Sequence, residues 1–572
     1  MKIPYGISNF KKLRTEGFIY TDKTRAIEIL EKSGAEYVFF IRPRRFGKSL
    51  FLSMLQHYYD IDESHNFDKF FKDLYIGKNP TPLKNSYLVM QLDFSGLNTD
   101  TKEALQKSFI DSVRTELIGF LKKYEKQLKT AYETLDQLRK TEDIRSMLGL
   151  VFNQVKSANQ KLYLIIDEYD HFANDIIAMG DNEFYKDIIR ATGFARDFYE
   201  TIKIGTKTVV DRMFITGISP VMMDDLTSGF NIAQNLTLKK ELNDMMGFTE
   251  QEVKCMLERL DIKLKSPENQ RELSIDEILE ILKKNYNGYL FNEEAKERIY
   301  NPSMLLYFLN EAVHSRFPRT LIDDNIKTDY GRLNRLAFNP KNKQVLEQII
   351  KEEQITAKLE TAFSFNRMYD EQYFVSLLFY VGLLTIDKKQ YGITNLKIPN
   401  YVIKELFWEY IENRIRIDYG IEPDIPRVAK AIWEMGTEGK IKPFLDYISQ
   451  SVLKPLSNRD LIKFDEKYIK IIILAYLTIT KQFHIISERE TQEGYIDIYL
   501  EKDLRAPDIE YEWAIELKYL KESERGKLDE VIQRGREQLK KYIQQRGLKD
   551  KENLKKAVVV FIGKKDYEML ER

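Results

Sequence analysis

Three consecutive stretches restrict this chain more than anything else in it: Tyr37-Val-Phe-Phe-Ile41, the loop Arg42-Pro-Arg-Arg-Phe-Gly-Lys-Ser49, and the helical run Leu50 to Tyr59. A short run of β-formers, a loop closing on Gly-Lys-Ser and a following helix is the order that a phosphate-binding loop requires. Such a loop needs a parallel sheet behind it, and more strands are present in the sequence. Tyr87-Leu-Val-Met-Gln-Leu-Asp93 reads as one. Leu162-Tyr-Leu-Ile-Ile166 is apolar throughout, as a strand covered on both faces should be, and Met213-Phe-Ile-Thr-Gly217 is a fourth. Helices are expected between them, over 102–126, 129–158 and about 183–203. Alternating strands and helices predict a parallel α/β domain over 1–240.

Chemistry can be assigned to the loop residue by residue. Gly47, Lys48 and Ser49 offer backbone N–H groups at a helix start, a cation for the β- and γ-phosphates, and a hydroxyl for Mg²⁺. With Arg44, Arg45, Phe46 and Leu50 they form the expected ATP-binding segment. The template G-x-x-x-x-G-K-[ST] has glycine where Arg42 stands, so Pro43 and the arginines after it must hold the loop open or meet phosphate themselves. Asp167-Glu168 ends the apolar strand, which suits Mg²⁺ coordination by Asp167 and a base for the attacking water at Glu168. Thr216, ending the next strand, reads equally as a γ-phosphate sensor and as a plain strand-end threonine.

At 572 residues the chain exceeds a single core. A helical lid is expected over 241–335. The middle region, 336–460, holds over 372–417 a helix, a β pair (Leu383-Leu-Thr-Ile-Asp387 and Leu396-Lys-Ile-Pro399) and another helix. That order fits a winged-helix-like module or a plain helix–hairpin–helix. From 461 to 572 the order is helix (466–479), strands at 483–488, 495–501 and 511–518, helix (527–545), and strand (557–562). A mixed α/β core follows.

The last domain carries Gly494-Tyr-Ile-Asp497, Ile515-Glu-Leu-Lys518 and Gln538-x-x-x-Tyr542. Alternation along a strand puts Glu516 and Lys518 on one face, with Leu517 on the other. Asp497 falls on a neighbouring strand, so two carboxylates converge on an oxygen-rich site suited to Mg²⁺ or Mn²⁺. Lys518 would orient or help deprotonate an attacking water. Gln538 and Tyr542, four apart on one helix face, would steady the lysine or the substrate backbone.

This constellation resembles the PD-(D/E)xK nuclease superfamily, and Gln538-Leu-Lys-Lys-Tyr542 resembles the added motif of its RecB-like branch. The whole chain resembles bacterial AAA-ATPase-like proteins that carry a C-terminal nuclease domain of this kind. Arg42–Ser49, Tyr20-Thr-Asp-Lys-Thr24, Leu92-Asp-Phe-Ser95, Ile215-Thr-Gly-Ile-Ser-Pro220, Tyr286-Asn-Gly-Tyr289 and Tyr300-Asn-Pro302 carry that resemblance. It implies a P-loop ATPase domain and a restriction-endonuclease-like domain, with ATP and Mg²⁺ as cofactors. It also implies that an arginine in place of the first glycine is the family's own form. An arginine finger is implied as well, with Arg190, Arg196 and Arg212 as candidates among which the sequence does not choose, and so is one more metal-binding acid before Asp497, with Glu488 the candidate and Glu490 behind it.

Composition narrows the function. Lys+Arg 89 against Asp+Glu 89 cancel, which argues against a constitutive electrostatic coater of nucleic acid. A single cysteine, Cys255, excludes internal disulfides and cysteine-rich zinc sites. Met1-Lys-Ile-Pro-Tyr-Gly does not read as a secretory leader, and Ile471–Leu477 is too short an apolar run to span a bilayer. A cytoplasmic protein without a membrane partner is expected. The leading expectation is a Mg²⁺-dependent nuclease under ATP control, with DNA ahead of RNA as substrate and the choice left open by the sequence. The alternatives are a nucleotide-dependent switch or scaffold whose nuclease fold only grips nucleic acid or a partner, and a DNA-binding regulator acting through 372–417. Monomer and homo-oligomer both remain open.

Overall fold

The computed structural model describes residues 1–571 apart from 130–131, 180–181, 190–192, 223–230, 267–269, 323, 331–339, 363–366, 368–369, 458–464, 504, 545–547 and 564–565. Its N-terminal sheet contains β1 (Tyr37–Ile41), β2 (Leu88–Asp93), β3 (Leu162–Asp167), β4 (Val210–Gly217) and the short β5 (Gln234–Asn235). All pairings are parallel, in the order β2-β3-β4-β1-β5. Alternate residues of these strands feed two cores. Phe39, Ile41, Leu164, Ile166, Met213 and Ile215 join one, while Val38, Phe40, Tyr163, Ile165 and Phe214 join the other. Both faces are covered, which is why the strands read as unbroken apolar runs. Helix Lys48–Tyr59 covers one face, and helices Lys102–Lys123, Ile144–Ser157 and Phe194–Gly205 cover the other.

The expected helix over 129–158 is broken instead into Tyr132–Lys140 and Ile144–Ser157. Asp143 is extended and caps the second piece by accepting from the Ser146 N–H at 2.7 Å, which stops the first. In the lid, Thr249 and Ser274 form capping boxes with Glu252 and Glu277, starting helices Glu250–Arg259 and Ile275–Tyr286.

The middle region presents helix Pro340–Glu352, β6 (Gln354–Ala357), helix Glu371–Tyr380, the hairpin β7 (Thr385–Gln390) and β8 (Ile393–Lys397), and helix Tyr401–Tyr419. Its antiparallel sheet has the order β6-β8-β7, which gives the winged-helix-like arrangement a third strand absent from the sequence reading. The expected boundaries at 335 and 460 fall within 331–339 and 458–464, outside the described residues.

The C-terminal sheet is mixed. β9 (Phe483–Thr491), β10 (Gly494–Lys502), β11 (Glu512–Leu520), β12 (Leu554–Ile562) and β13 (Asp566–Glu571) lie in sequence order across it. β11 and β12 are parallel, joined by helix Leu528–Ile543, and the other pairs are antiparallel. Helix Glu466–Leu477 packs against β9 and β11. The sheet also draws in helix Ile425–Thr437, because the fully buried Trp513 donates its indole N–H to the Met435 carbonyl at 3.0 Å.

Candidate active sites

The phosphate loop leaves β1 with Arg45 and Gly47 at positive φ, 65° and 90°. At Gly47 this left-handed turn is what starts helix Lys48–Tyr59, a geometry glycine adopts without strain. Lys48 is buried and donates to the carbonyls of Arg42 and Pro43, both at 3.2 Å. Burial lowers its pKa. Ser49 Oγ donates to Asp167 Oδ2 at 2.7 Å, although β4 lies between their strands.

Burial pushes the Asp167 carboxyl up to about 6, against the Ser49 hydrogen bond and the Lys48 charge. A carboxyl raised in this way is one that a cation would relieve. Glu168 is also buried, which by itself would raise it, yet a hydrogen bond from His171 and the charge of Lys48 hold it at about 2. The His171 Nδ1 lies 3.1 Å from Glu168 Oε2. So acidic a carboxylate orients a water better than it takes the water's proton.

A cavity of about 400 Å³ opens over the loop. Arg44 through Leu50, Glu168 and His171 line one side. The N-terminal segment around Gly6 to Ser8 and the lid at Met245 to Phe248 and Pro302 to Leu306 complete it. Its size and mixture of apolar wall with a few polar groups suit a nucleotide. Thr216 does not line this space; it is fully buried in register with Phe40, its hydroxyl without a partner among the described residues.

Two of the arginine candidates, Arg196 and Arg212, line no part of this cavity. Arg196 pairs with Glu200 at 2.8 Å, Arg212 sits near the start of β4 beside Asp211 and Tyr87, and Arg190 lies outside the described residues. Arg42 is not a phosphate contact either. It is 1 % exposed and donates to the carbonyls of Ile41, Thr237 and Leu242, which closes the loop's first turn onto the end of the domain.

The second site sits where β10 leaves β11. The two strands pair only from Ile498 to Leu500 against Trp513 to Ile515, whereas β11 stays paired with β12 as far as Leu520. A carboxylate takes a backbone N–H group exposed by this divergence: Asp497 Oδ2 accepts from Leu517 N–H at 2.8 Å, and Glu466 lies close by, where burial raises its pKa against the charge of Lys518. Lys518 Nζ donates to Glu516 Oε1 at 2.8 Å and lies 3.6 Å from Asp497 Oδ2. The Asp497 and Glu516 charges raise the lysine's pKa despite its burial. Glu516 is driven up to about 7 by burial and by the Asp497 charge, and its Oε2 is buried without a partner among the described residues. An orphaned carboxylate oxygen beside a second carboxylate fits a hard divalent cation.

Glu466, in the first turn of its helix, is the acid the sequence reading missed. Its charge acts on Lys518 and Glu516, while Glu488 is half exposed and ion-paired with Lys470 at 3.1 Å. Glu488 stands at φ 53°, in the stretch of β9 opposite Asp497, between the pairs Ile496–Arg489 and Ile498–Ser487. Gln538 is half-buried, with its amide oxygen unpartnered among the described residues. Tyr542 instead packs on the β9–β10 turn, where a Cβ built on Gly494 would lie 2.6 Å from the Tyr542 ring. Among the described residues no three acidic, histidine or cysteine side chains group closely enough to hold a metal on their own. Two anchors per site, completed by water and phosphate oxygens, is the usual provision for Mg²⁺.

Residues 4–227 match the family described as predicted AAA-ATPase, and residues 464–570 match the PD-(D/E)XK nuclease superfamily. An uncharacterized protein encoded in the vnfD 5′ region of Azotobacter chroococcum is 27% identical over 417 residues, covering 70% of this chain and 68% of that protein. Among solved structures, the Walker-type ATPase PABY2304 of Pyrococcus abyssi is 13% identical with a TM-score of 0.39, over 67% of this chain and 94% of that one. The Aeropyrum pernix Orc1 protein, solved in complex with DNA, is 9% identical with a TM-score of 0.26, over 68% and 91%. No helix among the described residues is long and apolar enough to cross a membrane.

Proposed function

From the premise that this chain joins a predicted AAA-ATPase region to a PD-(D/E)XK nuclease-superfamily region, we propose that it is a Mg²⁺-dependent nuclease that cleaves DNA under the control of bound ATP. The observation that carries this reading is the grouping of Asp497, Glu516, Lys518 and Glu466 where β10 and β11 part.

In the ATPase site, Lys48 exchanges its two loop carbonyls for β- and γ-phosphate oxygens. Ser49 and Asp167 would hold Mg²⁺, and Glu168 aligns the water. In the nuclease site, Asp497 and Glu516 would hold Mg²⁺, which when bound supplies charge stabilisation to the phosphodiester. Lys518, kept cationic by its two carboxylates, orients the water and offsets the charge growing on phosphorus. Water oxygen bonds to phosphorus, one ester oxygen departs with a proton, and Gln538 contacts the substrate backbone.

Purified protein incubated with linear and circular DNA and Mg²⁺ tests this, with Lys518→Ala alongside. Cleavage lost in Lys518→Ala, with ATP turnover retained, is the expected result. Intact DNA throughout, with ATP bound, would favour the scaffold reading instead.

A further inference from the structure

Three of the eight residues of Arg42–Ser49 pack against other parts of the chain: Arg42, Pro43 and Phe46. The Arg42 guanidinium stacks 3.9 Å over the Phe291 ring, and Phe46 sits edge-on to Tyr289 and Phe291 at 5.0 and 5.6 Å. Pro43 abuts Gly382, at the start of the winged-helix-like hairpin. A Cβ on Gly382 would lie 2.9 Å from Pro43 Cβ, and at φ 84° the position is already strained for any side chain.

The lid and the middle region are joined as tightly. A Cβ on Gly288 would lie 1.9 Å from the Pro399 carbonyl oxygen, Leu290 N–H donates to Thr385 Oγ1 at 2.7 Å, and Asn400 Nδ2 donates to the Asn287 carbonyl at 2.9 Å. Asn400 also caps helix Tyr401–Tyr419. The next residue reaches the nuclease sheet. Tyr401 OH accepts from Ile485 N–H at 3.1 Å, and its ring lies 3.9 Å from the His484 ring, both in β9. β9 in turn pairs along β10, which carries Asp497.

We infer that Arg42, Pro43 and Phe46 form a joint through which the nucleotide state of the loop reaches β9 by way of Gly382 and Tyr401. The inference rests on the nucleotide-gated reading above and names the means of that gating. Close-packed contacts of this kind respond to a shift at one end by moving together or by parting, because they have no slack to absorb it. The loop's departure from the glycine template is then explained by its second task. Its first position serves an interface, and its last three serve phosphate.

Amide hydrogen exchange over β9 in the full chain, with ATP and Mg²⁺ as the probe, tests the joint. Wild type and Tyr401→Phe are compared, with Gly382→Ala as a second variant. The expected result is a several-fold change in β9 exchange on ATP addition to wild type. That change should vanish in both variants while the loop at 42–49 is still protected by ATP. Protection of the loop with β9 unmoved in wild type, or an undiminished β9 response in Tyr401→Phe, would overturn it. If β9 responds as expected but DNA stays intact under all conditions, the joint stands and the nuclease reading fails.

Discussion

Asp497 Oδ2 accepts the backbone N–H of Leu517 at 2.8 Å, occupying the ladder position that β10 gives up as it turns from β11. The aspartate therefore has a structural task as well as a chemical one, and substitutions separate them. Asp497→Asn keeps an acceptor for Leu517 and should fold with near-native stability. Asp497→Ala leaves that N–H unmet and should cost about 1–3 kcal/mol. Both should lose at least ~100-fold in cleavage. Urea unfolding beside a cleavage assay checks the pair, and equal stability of the two variants would contradict the structural task.

Glu516→Gln should stabilise the metal-free protein while abolishing cleavage. The folded pKa, about 7, exceeds the ordinary value of 4.5, so the folded chain holds this proton more tightly than the unfolded chain. Stability is therefore lost as pH rises through that window. Glutamine mimics the protonated form, so at pH 8 the variant should melt higher by a few degrees, on the order of 1 kcal/mol. Adding Mg²⁺ should raise wild type more than the variant. Thermal melts at pH 5 and pH 8, with and without metal, check both signs.

The same shift predicts the activity profile. Glu516 holds a metal only when ionised, so cleavage at limiting Mg²⁺ should climb about tenfold per pH unit below 7 and flatten above it. Saturating Mg²⁺ should move the rise to lower pH. A profile flat from pH 5.5 to 8 would separate Glu516 from the metal.

Arg42→Gly restores the template glycine and should make the protein worse. It removes a buried guanidinium from three carbonyls and two aromatic rings, for a loss of about 3 kcal/mol or more, with weaker ATP binding. Denaturant unfolding and nucleotide titration read the two effects.

Thr216→Val distinguishes sensor from strand end. Its hydroxyl is buried without a partner among the described residues, so the isosteric exchange should leave stability unchanged or slightly improved. A sensor hydroxyl predicts a roughly tenfold lower kcat for ATP hydrolysis with KM little altered.

Most of this was legible because the decisive residues sit on strands whose neighbours are apolar. Asp167 ends a run buried on both faces, and Glu516 and Lys518 alternate with core residues Ile515 and Leu517, so period alone fixed their faces. Glu466 was not legible, since its charge comes to Lys518 and Glu516 from a helix across a chain separation that no spacing rule covers. The extended Asp465 cap ahead of it, accepting from Tyr468 N–H, was the available signal for that helix start. Glu488 was named because the resembled nuclease family often carries one more acid before the aspartate; it stands opposite Asp497 at φ 53°, ion-paired with Lys470. β13 escaped because Asp566-Tyr-Glu-Met-Leu-Glu571 is an edge strand with no fully buried residue, and the short strand β6 for want of length. The interface roles of Arg42 and Phe46 need tertiary partners more than 240 residues away, at Tyr289 and Phe291.

The central claim is control of one site by the other, and the most direct measurement is single-turnover DNA cleavage at fixed Mg²⁺, with and without ATP, in wild type and Lys48→Ala. The account predicts that ATP changes the wild-type rate several-fold and leaves the rate of Lys48→Ala unchanged, since that variant has lost its phosphate cation. Equal wild-type rates with and without ATP, under conditions where ATP is bound, would contradict it.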